Sequence, residues 1–223
     1  MSKAISTLTA SALVAIGAAA PIAAMGQEPP DMTHDGLALV EGTPADLVYA
    51  LPEADFSIYD SFIILEPVVA FRKDWQRDFN RSSAQRRVTD ADMERIMLGM
   101  KELFLEVFTD ELEDGGYTVT TEPGENVMIL RPAIIDLDVT APDIPAAGRS
   151  QSFSTNAGSA RIYIEFFDSV TGQILGRAVD YQRARDTGTF MWASSVSNRA
   201  EGRRVLRRWT EMLLQRLDEI RGE

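Results

Sequence analysis

The 223-residue chain contains no cysteine and a single histidine. The first absence removes disulfides, thiolate nucleophiles, Cys-ligated zinc and lipid attachment through a cysteine. The second leaves His34 as the sole imidazole, in the Pro- and Gly-rich stretch QEPPDMTHDGLALVEGTPA. Chain ends of this composition are usually loosely ordered, so His34 is a poor base for a catalytic triad. Ser–Lys chemistry would have to draw on Lys73 or Lys101, and neither stands in an S-x-x-K. No P-loop and no G-x-G-x-x-G occurs. Basic residues are outnumbered, 22 against 34 acids, for a net charge of −12, which disfavours nucleic-acid binding. Long apolar runs are missing beyond the first two dozen residues.

Those first residues have an order of their own. Lys3 precedes the Ala-rich run ALVAIGAAAPIAA, and small residues stand at Ala24 and Gly26. A basic start, an apolar middle and a small-residue exit predict a secretory signal peptide over 1–26, cut after Ala24 or Gly26. The run is shorter than the ~18 apolar residues of a spanning helix. Residues 27–46 then read as a flexible arm, and 47–223 as one domain large enough for its own core. The expected compartment is the periplasm, where a thiol-free fold stands on packing alone.

Periodicity predicts the elements. FIILEPVVAF, Phe62 to Phe71, is apolar on both faces and reads as a central strand, with Pro67 marking a bulge or a free edge. Arg72 to Val88 lacks a clean period and reads as a basic loop. Thr89 and Asp92 form a capping box ahead of a long amphipathic helix, which EDGG ends. YTVTT and NVMIL, separated by EPGE, read as a hairpin. In NVMILRPAIIDLDV, Val127, Ile129, Ile135, Leu137 and Val139 share the predicted inner parity, with Asp136 and Asp138 outside. ARIYIEFFDSVTGQILGRAVDYQ predicts a second hairpin turning at Asp168 to Gly172, with Ile162, Ile164 and Phe166 on one face and Tyr163, Glu165 and Phe167 on the other. Asn198 caps a final helix from about Arg199 to Arg221, buried along Leu206, Trp209, Leu213, Leu217 and Ile220. The expected fold is α+β: a mostly antiparallel sheet of about five strands with two helices packed on one face, in the order strand-helix-hairpin-hairpin-helix.

Candidate chemistry is sparse. GRSQS, at Gly148 to Ser152, lacks the second glycine of a nucleophile elbow and leads into a strand, so it reads as a strand entry. Asp136, Asp138 and Glu165 could together hold a hard cation such as calcium or manganese, or form a glycosidase pair; the plainer reading is a solvated sheet face. Arg72, Lys73, Arg77, Arg81, Arg86 and Arg87 interleave with Trp75 and Phe79, a mixture suited to an acidic partner or a peripheral membrane contact. Arg199, Arg203 and Arg207 line one side of the last helix and read as a solvated face with Glu201 and Glu211 as counter-charges. Phe190, Met191 and Trp192 read as a lid on the core or an apolar contact patch.

Two stretches, Leu47 to Phe71 and Leu130 to Gln182, resemble a family of Gram-negative envelope proteins known as domain of unknown function 3313. The most specific part runs from Ala141 to Asp180. The resemblance implies a periplasmic, envelope-associated protein, often a lipoprotein, and carries no catalytic residues; this chain departs from it by lacking the lipidated cysteine. The leading expectation is a non-catalytic accessory or binding protein of the cell envelope that needs no cofactor and contacts another envelope protein through Arg72, Trp75, Arg149 and Trp192. The alternatives are a metal-dependent hydrolase using Asp136, Asp138 and Glu165, and a carrier of a small ligand or lipid with a cavity between sheet and helices.

Overall fold

A computed structural model describes residues 28–82, 87–139, 152–154, 158–183, 191–193 and 195–222. Strands β1 (Ala38–Leu39) and β2 (Leu47–Ala50) open the domain, followed by β3 (Ser61–Ile64) and β4 (Val68–Phe71). Helices α1 (Trp75–Ser82) and α2 (Asp90–Asp114) come next, then β5 (Thr118–Val119) and the long β6 (Val127–Val139). The chain continues through β7 (Ser152–Ser154), β8 (Gly158–Asp168), β9 (Ile174–Arg183), β10 (Met191–Ala193) and α3 (Ser195–Arg221). Residues from Asp31 onward form one compact unit.

The α+β class holds, but the sheet is mixed and has eight strands, in the order β1-β2-β9-β8-β6-β3-β5 with β4 also on β6. The half from β1 to β6 is antiparallel, whereas β3 and β4 run parallel to β6, and β5 parallel to β3. The hairpin expected at EPGE does not form, because β3 lies between β5 and β6 and takes the ladder hydrogen bonds of both. The single strand expected from Phe62 to Phe71 is two, broken at Leu65–Pro67, where a proline cannot donate to the ladder. β7 and β10 form a separate antiparallel pair.

Local signals set the helix ends. The Thr89 side chain accepts from the Asp92 amide at 3.2 Å and the Asp92 carboxylate accepts from the Thr89 amide at 2.9 Å, closing the capping box. At the other end of α2, Gly116 takes φ +84° and the Tyr117 amide reaches back to the Leu112 carbonyl. α1 replaces part of the expected basic loop. Its aromatic stripe continues from Phe71 through the buried Trp75 to Phe79, four residues apart, and Asn80 exchanges two hydrogen bonds with the Val88 backbone. α3 starts at Ser195, ahead of the expected cap at Asn198, and Ile220, expected in its buried stripe, is 37% exposed.

One face of the sheet holds the core. Met128, Leu130 and Ile134 from β6 and Ile162 and Ile164 from β8 pack with Leu103, Phe104, Val107 and Phe108 of α2 and Leu206, Trp209 and Leu217 of α3. The even residues of β6 therefore point inward first, contrary to the expected parity. At Asp136 an extra residue enters the strand with φ +52°, and Leu137 becomes the inner residue after it. A left-handed residue inserted against one partner is a β-bulge, and Asp tolerates that conformation better than most residues.

The segment expected to be a flexible arm is tied down from Asp31 onward. Leu37 is fully buried, β1 pairs with β2, and Asp35 meets Arg177 of β9 at 2.7 Å. Among the described residues, no helix is long and apolar enough to cross a membrane.

Candidate functional site

Glu165 sits at the centre of the sheet face turned away from α2 and α3. Cross-strand pairing sets Arg131 of β6 and Arg177 of β9 directly opposite it, one on each side. Arg131 Nε donates to its carboxylate at 2.7 Å, Arg177 Nη2 at 3.0 Å and the Tyr163 hydroxyl at 2.8 Å. Asp35 closes the row on Arg177. The guanidiniums also lie over rings, Arg131 over Phe167 at 4.7 Å and Arg177 over Tyr163 at 5.8 Å. Burial pushes the Glu165 carboxyl up, but the bonds from Tyr163, Arg131 and Arg177 outweigh it and hold the carboxyl below its ordinary value. Asp35 follows the same pattern, with burial opposed by Arg177 and Thr33. Burial and the Glu165 charge push the Tyr163 hydroxyl up. The row carries two positive and two negative charges and its carboxylates are ionised at neutral pH, which suits a structural lock rather than proton transfer.

The three carboxylates expected to share a cation are each matched to a different guanidinium. Asp136 pairs with Arg161 at 2.8 Å, Asp138 with Arg72 at 2.9 Å, and Glu165 with Arg131 and Arg177. The bulge breaks the alternation that would have set Asp136 and Asp138 on one face. Among the described residues, no group of three His, Cys, Asp or Glu side chains could hold a metal ion. In place of a shared calcium or manganese centre, the three carboxylates take part in four separate ion pairs.

The expected contact residues divide. Trp75 is 2% exposed, its ring stacked on Phe71 at 4.4 Å and on Phe79 at 5.6 Å, so the indole is a core side chain rather than a contact. Arg72 is half-buried and bridges Asp138 to Asp78 of α1 at 3.0 Å. Arg149 lies outside the described residues, as does Arg86, and Trp192 falls in β10, where only its backbone pairing with Phe153 is described. The arginines of α3 do lie on a solvated face, with Arg199 and Arg207 about half-exposed, but most of their counter-charges come from α2 rather than from Glu201 and Glu211. Arg199 and Arg203 both reach Glu106 of α2, and Arg207 reaches Glu111 at 2.6 Å, so they clamp α3 to α2.

Between these helices and the sheet lies a cavity of about 340 Å³. Its walls are apolar: Ile96, Met100 and Leu103 of α2, Val205, Leu206 and Trp209 of α3, and Ile134, Leu137 and Val139 of β6. The charged residues of its lining are Arg95, Arg199, Asp138 and Glu201, with Ser159 and Gln182 as neutral polar residues. Behind Gln182, the buried Asp180 carboxylate accepts from Gln182 Nε2 at 2.6 Å, Trp209 Nε1 at 2.7 Å and the Asp46 amide at 3.2 Å. A carrier cavity between sheet and helices is the one alternative whose geometry is present, although its residues were not singled out in the sequence. One signal was there: each long helix carries an interior glycine, Gly99 or Gly202, at a cost of about 1 kcal/mol against alanine, and both line the cavity. A Cβ at Gly99 would meet nothing within 4 Å, whereas one at Gly202 would touch Leu103 at 3.0 Å.

Comparison with known proteins gives a family and distant likenesses. No curated protein matches the chain. Among solved structures, the PelC dodecamer from Paraburkholderia phytofirmans is 10% identical with a TM-score of 0.39, over 75% of this chain and 96% of that one. A putative neuraminyllactose-binding hemagglutinin homolog from Helicobacter pylori is 11% identical with a TM-score of 0.33, over 82% and 93%. A DUF4136 family protein from Bacteroides thetaiotaomicron is 11% identical with a TM-score of 0.35, over 81% and 97%. The family described as Protein of unknown function (DUF3313) matches residues 35–213, which include β1 to β10, α1, α2 and most of α3. The chain thus belongs to the DUF3313 family.

Proposed function

We propose that the protein is a non-catalytic binding or accessory domain of the bacterial cell envelope, acting in the periplasm, and that its binding element is the cavity between α2, α3 and the sheet. The observation that carries the reading is that cavity, about 340 Å³ with mainly apolar walls and a few polar groups among its lining. Ligand sites have this composition and start at about this size. The carboxylates that would have served catalysis are engaged by arginines. The order of the first 26 residues supports export.

The test is native mass spectrometry of protein isolated from its own cells, wild type beside Gly99→Leu. A mass excess on the wild type that the variant lacks supports the cavity as the binding element. Two bare proteins of equal stability refute it. The same spectra read the start of the chain, and export predicts Met25 or Gln27.

A further inference from the structure

Resting on the reading of the cavity as a binding site, we infer that its ligand is a single unbranched apolar chain of about eleven carbons, selected by length and not by the charge of its head group. Shape carries the first part. The lining residues of α2 run from Arg95 to Leu103 and those of α3 from Arg199 to Trp209. At 1.5 Å per residue the cavity is about 12–15 Å long. A volume of about 340 Å³ spread along that length favours a slender occupant, one extended methylene chain. An extended chain advances about 1.25 Å per carbon, so that length spans about ten to twelve carbons.

Charge carries the second part. The lining includes two arginines, Arg95 and Arg199, and two acids, Asp138 and Glu201, whose charges sum to zero. Each is already held: Arg95 by Asp92 at 2.7 Å, Arg199 by Glu106, Asp138 by Arg72 at 2.9 Å and Glu201 by Arg204. Both guanidiniums are already paired and stand half in water, where one more ionic contact gains little net free energy. Affinity therefore comes from methylenes leaving water, about fourfold in Kd for each one buried.

Isothermal titration of the purified protein with octan-1-ol, decan-1-ol and dodecan-1-ol, and with dodecanoate, tests this. The expected result is a roughly fourfold gain in affinity per methylene that levels off near eleven carbons, with dodecanoate within threefold of dodecan-1-ol. Gly99→Leu, which puts a side chain into open space on the cavity wall, abolishes the binding. Should that variant fail to fold, Gly99→Ala shortens the preferred chain by about one carbon. No binding by any alcohol, affinity that follows head charge rather than length, or undiminished binding in a folded Gly99→Leu protein overturns the inference. A native mass excess that Gly99→Leu removes, without any alcohol binding, overturns the chain as ligand and leaves the cavity as the binding element.

Discussion

Replacing Glu165 by glutamine keeps the size of the side chain and an acceptor for the Tyr163 hydroxyl but deletes the charge between Arg131 and Arg177. The side chains of Glu165 and Arg177 are 8% and 15% exposed, close to the limit in which losing one partner of an ion pair costs about 3–5 kcal/mol. Arg131 is half-exposed, and an exposed pair adds at most about 1 kcal/mol. Asp35 still neutralises Arg177 in the variant, which lowers the expected loss to about 2–3 kcal/mol. Urea unfolding at pH 7 measures it. The folded Glu165 carboxyl lies below its ordinary value of 4.5. As the pH falls, the unfolded chain therefore takes up the proton first, and the stability tied to this charge is complete above that value and lost as the pH drops through the folded one. The gap between wild type and Glu165→Gln should be constant from pH 6 to 8 and shrink below pH 4.5. A gap under 0.5 kcal/mol at neutral pH, or one of equal size at pH 3, would show that the row of charges is not a lock.

Three other outcomes are expected. Trp75→Ala should destabilise by about 3–5 kcal/mol, as truncation of a buried aromatic does, while Arg72→Ala costs about 1 kcal/mol or less; equal losses in chemical denaturation would contradict the stacking of Trp75 between Phe71 and Phe79. Gly158→Ala should cost at least about 2–3 kcal/mol, because its Cβ would stand 1.9 Å from the Asp138 carbonyl at φ +133°; near wild-type melting would place that backbone elsewhere. Saturating calcium or manganese should leave Tm unchanged, and a rise of several degrees would mean that the carboxylates leave their arginines for a metal ion.

The parts legible in the sequence are those whose partners are close along the chain. Thr89 and Asp92 are three residues apart, Gly115 and Gly116 follow α2 directly, and Asp168 accepts from the Val170 and Thr171 amides inside its own turn. Residue-by-residue alternation also placed Ile162, Ile164 and Glu165 on their correct faces. The choice of strand partners was not legible, because pattern alone does not say whether β3 or β5 lies beside β6. With that choice went the site: Arg131, Glu165 and Arg177 meet only once two registers are known. The aromatics of α1 did carry a four-residue rhythm, hidden by the charged residues between them. The cavity announced itself only through glycines in two helices otherwise built to exclude them.

Asp136 decides the chemical character of the pocket floor. In an unbroken β6 the side chains following Ile134 on the inner side would be Asp136 and Asp138, and two acids would stand where Leu137 and Val139 now do. A single backbone torsion in the left-handed basin keeps that floor greasy. A β-branched residue there resists this torsion, so Asp136→Val would press the strand to straighten and draw the Asp138 carboxylate off Arg72 into the floor, making an oily pocket hospitable to cations.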